Sequence, residues 1–315
     1  MLQRCLLIAA FACSLLSAQK PIPVIFDTDI GDDIDDALAL ALALQSPELD
    51  VRAITTVIDD VDLRTRLAWK QLGLYGRRDI PLGTGASEPL LDPVINNKSR
   101  QYEVLTDADT FPPTARKHAA QLIIETLMAS QDKITVVPVG PLTNIALALK
   151  TEPRIKQKIE RIVLMGGSFY PPRREYNIYR DRVAAEVVFR SGVPVVAVGL
   201  DVTMKCKLQG SDMDRMRASA NPASKFLVHL IELWQNGKPD QYPTLHDPLA
   251  VAATVRPRLI ETQTGEVQVE TASPLTFGTT VFKQGAGNTQ AARDVNVRGF
   301  LDLFVERLSA APRPR

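Results

Sequence analysis

Six aspartates fall within the ten residues from Asp27 to Asp36, in the segment DTDIGDDIDD. Carboxylates repel one another and resist burial, so such a cluster is tolerated when a cation neutralises it. An acidic loop that only caps a helix start would need one or two aspartates. The shortage of cysteine and histidine argues against zinc, whereas an oxygen-rich site favours a hard ion such as Ca²⁺ or Mg²⁺. The segment therefore predicts a divalent-metal site.

The elements around this cluster predict how it is held. An apolar strand pattern precedes it, an Ala- and Leu-rich helix pattern follows it, and strand–helix alternation continues along the chain. Such alternation is typical of an α/β fold with a mostly parallel, Rossmann-like sheet flanked by helices. The pattern over Val267–Phe282 alternates like a hairpin and predicts some antiparallel strands late in the chain. The predicted strands are Pro21–Thr28, Val51–Ile58, Ile134–Val139, Ile162–Met165 and Val195–Val198, and the predicted helices are Asp35–Ser46, Leu63–Tyr75, Ala115–Ser130, Leu142–Leu149, Arg182–Ser191, Ala223–Trp234, His246–Val255 and Phe300–Leu308.

The composition is that of an ordinary globular chain, with 315 residues, 45% hydrophobic and 23% charged. The formal net charge is +1 and both signs are interspersed. Without a basic stripe, a nucleic acid polymer is not expected as a partner. The segment Pro81–Pro113 is rich in Pro, Gly, Asn and Asp and predicts a long loop. We find no repeat and no linker, so residues 19–315 are predicted to form one domain.

Residues 1–18 are predicted to be a signal peptide. A positive charge precedes Cys5–Leu16, an apolar run too short to span a membrane, and small residues follow it. A buried core helix is the alternative. We expect a protein exported to the periplasm or the exterior, with no membrane attachment after cleavage. Because Cys5 and Cys13 would leave with the signal, Cys206 would remain alone and form no internal disulfide.

Ligands of open α/β sheets bind at the carboxyl ends of the strands. Polar residues follow several predicted strands, and His246 and Asp247 open a later helix, so we expect these distant segments to meet at one edge. Asp27-x-Asp29 also resembles the opening of haloacid-dehalogenase-type phosphatases, but the lysine and the later acidic pair that they need are not identifiable. An EF-hand loop is excluded because Gly31 comes one position too early and a strand precedes it.

Four segments together resemble the inosine–uridine-preferring nucleoside N-ribohydrolases: DTDIGDDIDDALAL, VPVGPLTNIA, MGG followed by EYNIYRD, and HDPLAVAA. They occur in family order, and the resemblance covers Pro21 to Leu308. It implies the nucleoside hydrolase fold and Ca²⁺-dependent hydrolysis of the N-glycosidic bond of purine or pyrimidine ribonucleosides, giving free base and ribose. The alternative is an exported, calcium-containing nucleoside or sugar binder of the same fold without activity. Family members commonly self-associate, so a homo-oligomer is also implied.

The resemblance assigns roles to ten residues. It implies a calcium site formed by Asp29, Asp33, Asp36, Asp247 and the backbone carbonyl of Val139. It implies sugar contacts from Asp35, Asp60, Glu175 and Asn177. Asp29 would also take the proton of the attacking water, and His246 would lie beside the leaving base. The aspartate loop is two residues longer than the commonest family spacing, so either Asp33 or Asp35 could take the ribose and metal role.

The leaving base needs a proton or a hydrogen bond. A histidine titrates near neutrality, and a neighbouring carboxylate is expected to raise the pKa of His246. The alternative is a structural histidine that caps the following helix. Trp234 or Tyr242 could stack on the base, although Trp234 lies on an apolar helical stripe that favours packing. The sequence leaves the base and sugar preference open.

Overall fold

One ten-stranded sheet runs through the computed structural model, which describes residues 20–91 and 99–312. The predicted signal peptide, residues 1–18, lies outside the described residues. The strands are β1 (Ile22–Thr28), β2 (Leu49–Thr56), β3 (Leu82–Thr84), β4 (Lys117–His118), β5 (Ile134–Pro138), β6 (Ile159–Met165), β7 (Val195–Val198), β8 (Ile260–Val269), β9 (Thr280–Gln284) and β10 (Thr289–Val295).

The sheet is mostly parallel, as predicted. Its order is β4-β3-β2-β1-β5-β6-β7-β10-β8-β9, and only β8 runs antiparallel to its two neighbours, β10 and β9. After β1 the chain adds β2, β3 and β4 on one side, and it then crosses to build β5, β6 and β7 on the other. The carboxyl ends of β1 and β5 therefore flank the point where the winding reverses, which is where doubly wound sheets open a ligand crevice.

Helices cover both faces of the sheet. The helices are α1 (Asp35–Gln45), α2 (Val61–Leu74), α3 (Ala119–Ala129), α4 (Thr143–Thr151), α5 (Tyr176–Arg180), α6 (Arg182–Phe189), α7 (Leu200–Thr203), α8 (Ser211–Arg217), α9 (Pro222–Gln235), α10 (His246–Val255) and α11 (Val297–Ser309). Buried residues of α1, α2 and α8 to α11 form one apolar cluster, and those of α3, α4 and α6 form the other. Each cluster packs against its own side of the sheet.

The first strand and helix show why their patterns lack a polar face. Along β1, Val24 and Phe26 belong to one apolar cluster and Ile25 to the other, so the strand is covered on both sides. Every residue of α1 is buried, because the sheet, α10 and α11 surround the helix. The small residues of the Ala-rich α1 and α10 suit this close packing, which brings the acidic starts of the two helices together.

The segment predicted as a long loop, Pro81–Pro113, contains β3 and two short 3₁₀ turns over Arg100–Val104 and Asp107–Asp109. The first turn supports the aspartate loop. Gln101 donates from Nε2 to the backbone carbonyls of Asp32 and Asp33, at 3.1 and 3.0 Å. A Cβ on Gly31 would lie only 2.5 Å from Cε1 of the Tyr102 ring. Gly31 also has a φ of +108°, which residues other than glycine rarely adopt. Glycine is therefore required at this bend.

Two further predictions concern the chain as a whole. Cys206 is a buried free thiol, as expected from its isolation in the sequence. Within residues 20–91 and 99–312, no helix is both long and apolar enough to cross a membrane.

Candidate active site

A cavity of about 560 Å³ lies at the carboxyl ends of β1 and β5, where the winding of the sheet reverses. The aspartate loop after β1, the residue that follows β5, and the starts of α5 and α10 all contribute to its lining. Nine of the ten predicted site residues line it: Asp29, Asp33, Asp35, Asp36, Val139, Glu175, Asn177, His246 and Asp247. Segments more than 200 residues apart thus meet at one edge of the sheet.

Three carboxylates form the densest acidic group, those of Asp35, Asp36 and Asp247, each contributing an oxygen within 4.8 Å of the others. All three side chains are buried. The backbone N–H of Asp247 donates to Asp35 Oδ2 at 3.0 Å, and the hydroxyl of Thr28 donates to Asp36. Burial, with repulsion between neighbouring carboxylates, raises the pKa of each well above 3.8. An all-oxygen, buried and mutually repelling donor set fits a hard divalent cation.

Asp33 lies outside this acidic group, whereas Asp35 belongs to it. The exposed side chain of Asp33 accepts from the backbone N–H of Ile34 at 2.7 Å and from the Trp234 side chain. The physical reason is that Asp33 lies in the loop before α1, whereas Asp35 is the first residue of the helix. The first turn of α1 therefore still begins with the adjacent pair Asp35 and Asp36. Between the alternatives that the sequence left open, the geometry favours Asp35 for the metal group.

Asp29 is 6% exposed and closely packed against Gly140, which follows β5. A Cβ on Gly140 would lie 2.6 Å from Asp29 Oδ1, so only glycine allows this approach. Burial raises the pKa of Asp29 to about 6, and the nearby Arg64 guanidinium opposes the increase. A carboxylate with this pKa is largely ionised at neutral pH and can accept a proton from water.

Asp27 is a buried support that the sequence reasoning did not assign. Its Oδ1 accepts from the hydroxyl of Thr55 at 2.5 Å and from Nδ2 of Asn144 at 2.8 Å. The same Asn144 amide donates to the carbonyl of Thr56 at 2.8 Å. Burial raises the pKa of Asp27 to about 7. These bonds tie the ends of β1 and β2 to α4, and the asparagine of the GPLTN segment was the available signal.

Glu175 and Asn177 lie together at the start of α5. The carboxylate of Glu175 accepts from the backbone N–H groups of Gly167, Asn177 and Ile178 at 2.9–3.0 Å, which caps the helix. Burial raises its pKa to about 7. The Asn177 amide donates to the carbonyl of Val139 at 2.5 Å, so it fixes the backbone group that was predicted as a metal ligand.

Asp60, predicted to bind the sugar, does not reach the cavity. Its exposed side chain caps α2 by accepting from the backbone N–H of Leu63 at 3.0 Å. The preceding Asp59 is buried instead and pairs with Arg180 at 2.6 Å and Arg64 at 3.4 Å. The cause is local, because Ile58 and Asp59 both have a φ near +60°. A turn of this kind was not visible in the sequence, since β-branched residues rarely adopt it.

His246 begins α10, and its Nδ1 lies 2.7 Å from the hydroxyl of Thr203. Its ring therefore bonds a neighbouring segment instead of capping the helix. Burial lowers the pKa of His246 to about 4, so the predicted increase was wrong. Desolvation of the imidazolium by burial is the cause of this decrease. The ring is neutral at neutral pH, and it can then serve as a hydrogen-bond donor or acceptor.

Other side chains complete the wall of the cavity. Trp234 lines the cavity and also packs against the core, as the apolar stripe predicted, whereas stacking on the base stays a prediction. Tyr242 is exposed and is not among the lining residues. Lining residues that the sequence reasoning did not assign are Asp32, Met165, Arg174, Tyr176, Leu200 and Gln241. Asp32 belongs to the acidic loop, and Met165 and Tyr176 belong to the MGG and EYNIYRD segments, so these three carried a signal in the sequence.

Comparison with known proteins places this geometry in context. The model of a family described as inosine–uridine preferring nucleoside hydrolase matches residues 24–302. A pyrimidine-specific ribonucleoside hydrolase, RihA, from Citrobacter koseri is 39% identical over 310 residues, covering 91% of this chain and 98% of the relative. A purine-preferring ribonucleoside hydrolase from Gardnerella vaginalis has a TM-score of 0.80 at 30% identity, covering 91% of this chain and 98% of that one. A plant nucleoside hydrolase has a TM-score of 0.81 at 29% identity, covering 92% and 99%.

Proposed function

The chain belongs to the inosine–uridine preferring nucleoside hydrolase family and is a ribonucleoside hydrolase, and from this premise we propose that it cleaves pyrimidine ribonucleosides with the help of bound Ca²⁺. The pyrimidine preference is supported by the RihA relatives, which are 38–39% identical and are named pyrimidine-specific. The binder without activity and the phosphatase, considered from the sequence, are not favoured, because the family and these relatives are hydrolases by description.

The observation that carries the proposal is the buried group of Asp35, Asp36 and Asp247 beside Asp29 in one cavity. These three carboxylates, with the carbonyl of Val139, would hold the ion. Calcium is preferred over zinc because every available donor in this group is a hard oxygen atom. Bound there, the ion would supply Lewis-acid activation of the attacking water.

The protein's own residues account for the rest of the hydrolysis. Asp29 accepts the proton of the water that attacks the anomeric carbon, and its pKa of about 6 suits that role at neutral pH. Positive charge develops on the sugar as the bond breaks, and the surrounding carboxylates stabilise it. Glu175 and Asn177 line the same cavity as Asp29 and would contact the sugar hydroxyls. The departing base carries negative charge, and His246 would stabilise it.

The proposal is tested by measuring release of reducing sugar from uridine, cytidine, inosine and adenosine. We expect turnover of uridine and cytidine to exceed that of the purine nucleosides, and chelation to abolish it. Calcium should restore activity more fully than zinc. Equal turnover of purine and pyrimidine nucleosides would refute the preference, and full activity in chelator would refute the metal requirement.

Asp29→Asn tests the proton acceptor. This variant keeps the shape of the side chain but removes its basicity, so we expect turnover to fall by a factor of about 100 to 10,000, while the circular dichroism spectrum is unchanged. Asp60→Asn is the matched control, because Asp60 is an exposed helix cap outside the cavity. Comparable losses in both variants would contradict the roles given to them.

We also propose export and self-association. The support for export is the signal-like pattern of residues 1–18. Fractionation of producing cells, followed by N-terminal sequencing, should find a chain that begins near Gln19 outside the cytoplasm. Sedimentation of the purified protein should give a mass that is a multiple of the monomer mass.

A further inference from the structure

Thr203 is a buried residue whose hydroxyl contacts the imidazole that faces the proposed leaving group. It ends α7, the short helix that follows β7, and its side chain is 0% exposed. The hydroxyl lies 2.7 Å from Nδ1 of His246, and among the described residues this is the one hydrogen-bond partner of the Thr203 side chain. Because Nδ1 is engaged there and His246 lines the cavity, Nε2 is the nitrogen available to a ligand.

Backbone contacts hold the two segments in register, so this hydrogen bond is not incidental. The N–H of Cys206 donates to the carbonyl of Thr203 at 2.9 Å, and the N–H of Leu245 donates to the carbonyl of Cys206 at 2.7 Å. Asp201, also on α7, accepts from the backbone N–H groups of Phe169 and Tyr170 at 2.9 and 2.6 Å. Both ends of the contact are therefore fixed to the scaffold.

The hydrogen-bond inventory selects one tautomer of His246. A neutral imidazole carries one N–H, and the threonine hydroxyl carries one hydrogen. If Nδ1 donated to the hydroxyl, the hydroxyl hydrogen would be buried without an acceptor, which is unfavourable. If the hydroxyl donates to Nδ1, both groups are satisfied and the N–H of the ring is on Nε2. The second arrangement leaves a neutral donor directed to the cavity.

We propose that Thr203 is a positioning residue that fixes His246 as an Nε2–H donor to the departing base. This inference rests on the proposed hydrolase function. As the bond from the anomeric carbon to the base nitrogen breaks, its electron pair passes to the base, and the charge spreads to the carbonyl oxygens of a pyrimidine. The Nε2–H stabilises that anion without transferring its proton. The water supplies a hydroxyl group to the sugar and a proton to Asp29, and the released base then takes a proton from solvent.

The test compares two leaving groups in the complete enzyme loaded with calcium. Uridine has a poor leaving group, whereas p-nitrophenyl β-D-ribofuranoside releases an anion that is stable without help. We expect Thr203→Val to lower kcat for uridine about tenfold, corresponding to the loss of one hydrogen bond, and to change kcat for the nitrophenyl riboside by less than about twofold. Thr203→Ser should restore uridine turnover.

Thr254→Val is the matched control, because Thr254 is a buried threonine of α10 whose hydroxyl donates to the carbonyl of Ala250. It should leave both substrates unaffected. Equal losses on both substrates in Thr203→Val would show a merely structural role and overturn the inference, as would no loss on uridine. If the wild-type enzyme cleaves neither substrate, the proposed function itself fails.

A second measurement needs no turnover. The chain has three histidines, so ¹⁵N-labelled imidazole signals can be assigned with a His246→Gln variant. We expect the His246 signals of the wild-type protein to show the Nε2–H tautomer and those of Thr203→Val to shift towards a mixture. A wild-type ring protonated on Nδ1 would overturn the inference whatever the kinetics.

Discussion

Asp247→Asn should make the metal-free protein more stable and should remove its stabilisation by calcium. Asp247 forms two of the three close carboxylate pairs, with oxygens within 4.8 Å. At that distance each charged pair repels by about 3.5 kcal/mol in an effective dielectric of about 20. Full ionisation would therefore cost the fold about 7 kcal/mol through Asp247 alone, which is comparable with the whole stability of a typical domain.

In the metal-free protein, protonation of the clustered carboxylates relieves most of that repulsion. This protonation sets the sign of the pH dependence of the free energy of unfolding. Because the pKa of Asp247 is raised in the fold, the folded state holds a proton that the unfolded state has released above about pH 3.8. The free energy of unfolding of the metal-free protein must fall as pH rises through this window. Asparagine does not titrate, so the advantage of the variant should grow as the pH rises above about 3.8.

The assay is thermal unfolding of both proteins in chelator and in excess calcium. The variant keeps the backbone N–H that donates to Asp35, so the comparison isolates charge. In chelator at high pH the variant should melt several degrees above the wild type. Calcium at about 100 times its Kd should stabilise the wild type by about 2.7 kcal/mol and the variant far less, which reverses the order. Asp240→Asn, an exposed change of the same charge, is the control. Identical melting of wild type and Asp247→Asn in chelator would refute the reasoning.

Three further predictions follow from particular contacts. Gly140→Ala would place a Cβ 2.6 Å from Asp29 Oδ1 and displace the carboxylate, so kcat should fall about 100-fold with little change in the circular dichroism spectrum; an unchanged kcat would contradict that packing. Arg307 donates to both oxygens of Glu48 and lowers the pKa of that carboxyl, so the stability from this pair is present above about pH 4.5 and is lost as the pH falls below it. Glu48→Gln should therefore lower the melting temperature at neutral pH, and by less as the pH falls below about 4.5. Leu40→Ala, at a fully buried position of α1, should reduce the free energy of unfolding in urea by about 2–5 kcal/mol, and a loss below about 1 kcal/mol would show that the core refills the space.

The parts of the fold predicted from sequence are those with continuous patterns. The strand before the aspartate loop and the helix after it are buried on all sides, so their apolar runs are unbroken and easily identified. α5 and α7 have five and four residues, too few to show a helical period, and both carry groups of the site. β10 inserts between β7 and β8, and pairing of that kind depends on tertiary contacts that no local pattern records.

The site was predicted to the extent that its residue types are unusual. Nine of the ten residues line the cavity. The acidic cluster was identified by its residue types, whereas the role of each residue was implied by the family resemblance. Asp60 was misplaced because the left-handed turn at Ile58 and Asp59 moves the next side chain out to solvent. Thr203 was missed because a threonine within an apolar segment looks like any core residue until its neighbour is known.

The separation of the acidic group along the chain has a consequence for biogenesis. Asp35 and Asp247 are 212 residues apart, so the third carboxylate joins the group only when α10 packs against α1. A nascent polypeptide that stops short of the last ligand holds two acids and no closed chelate, so calcium cannot nucleate its folding as it can in a local loop. Ion uptake should accordingly be the last event of maturation. A truncated or nicked chain should fail to retain the metal on a desalting column.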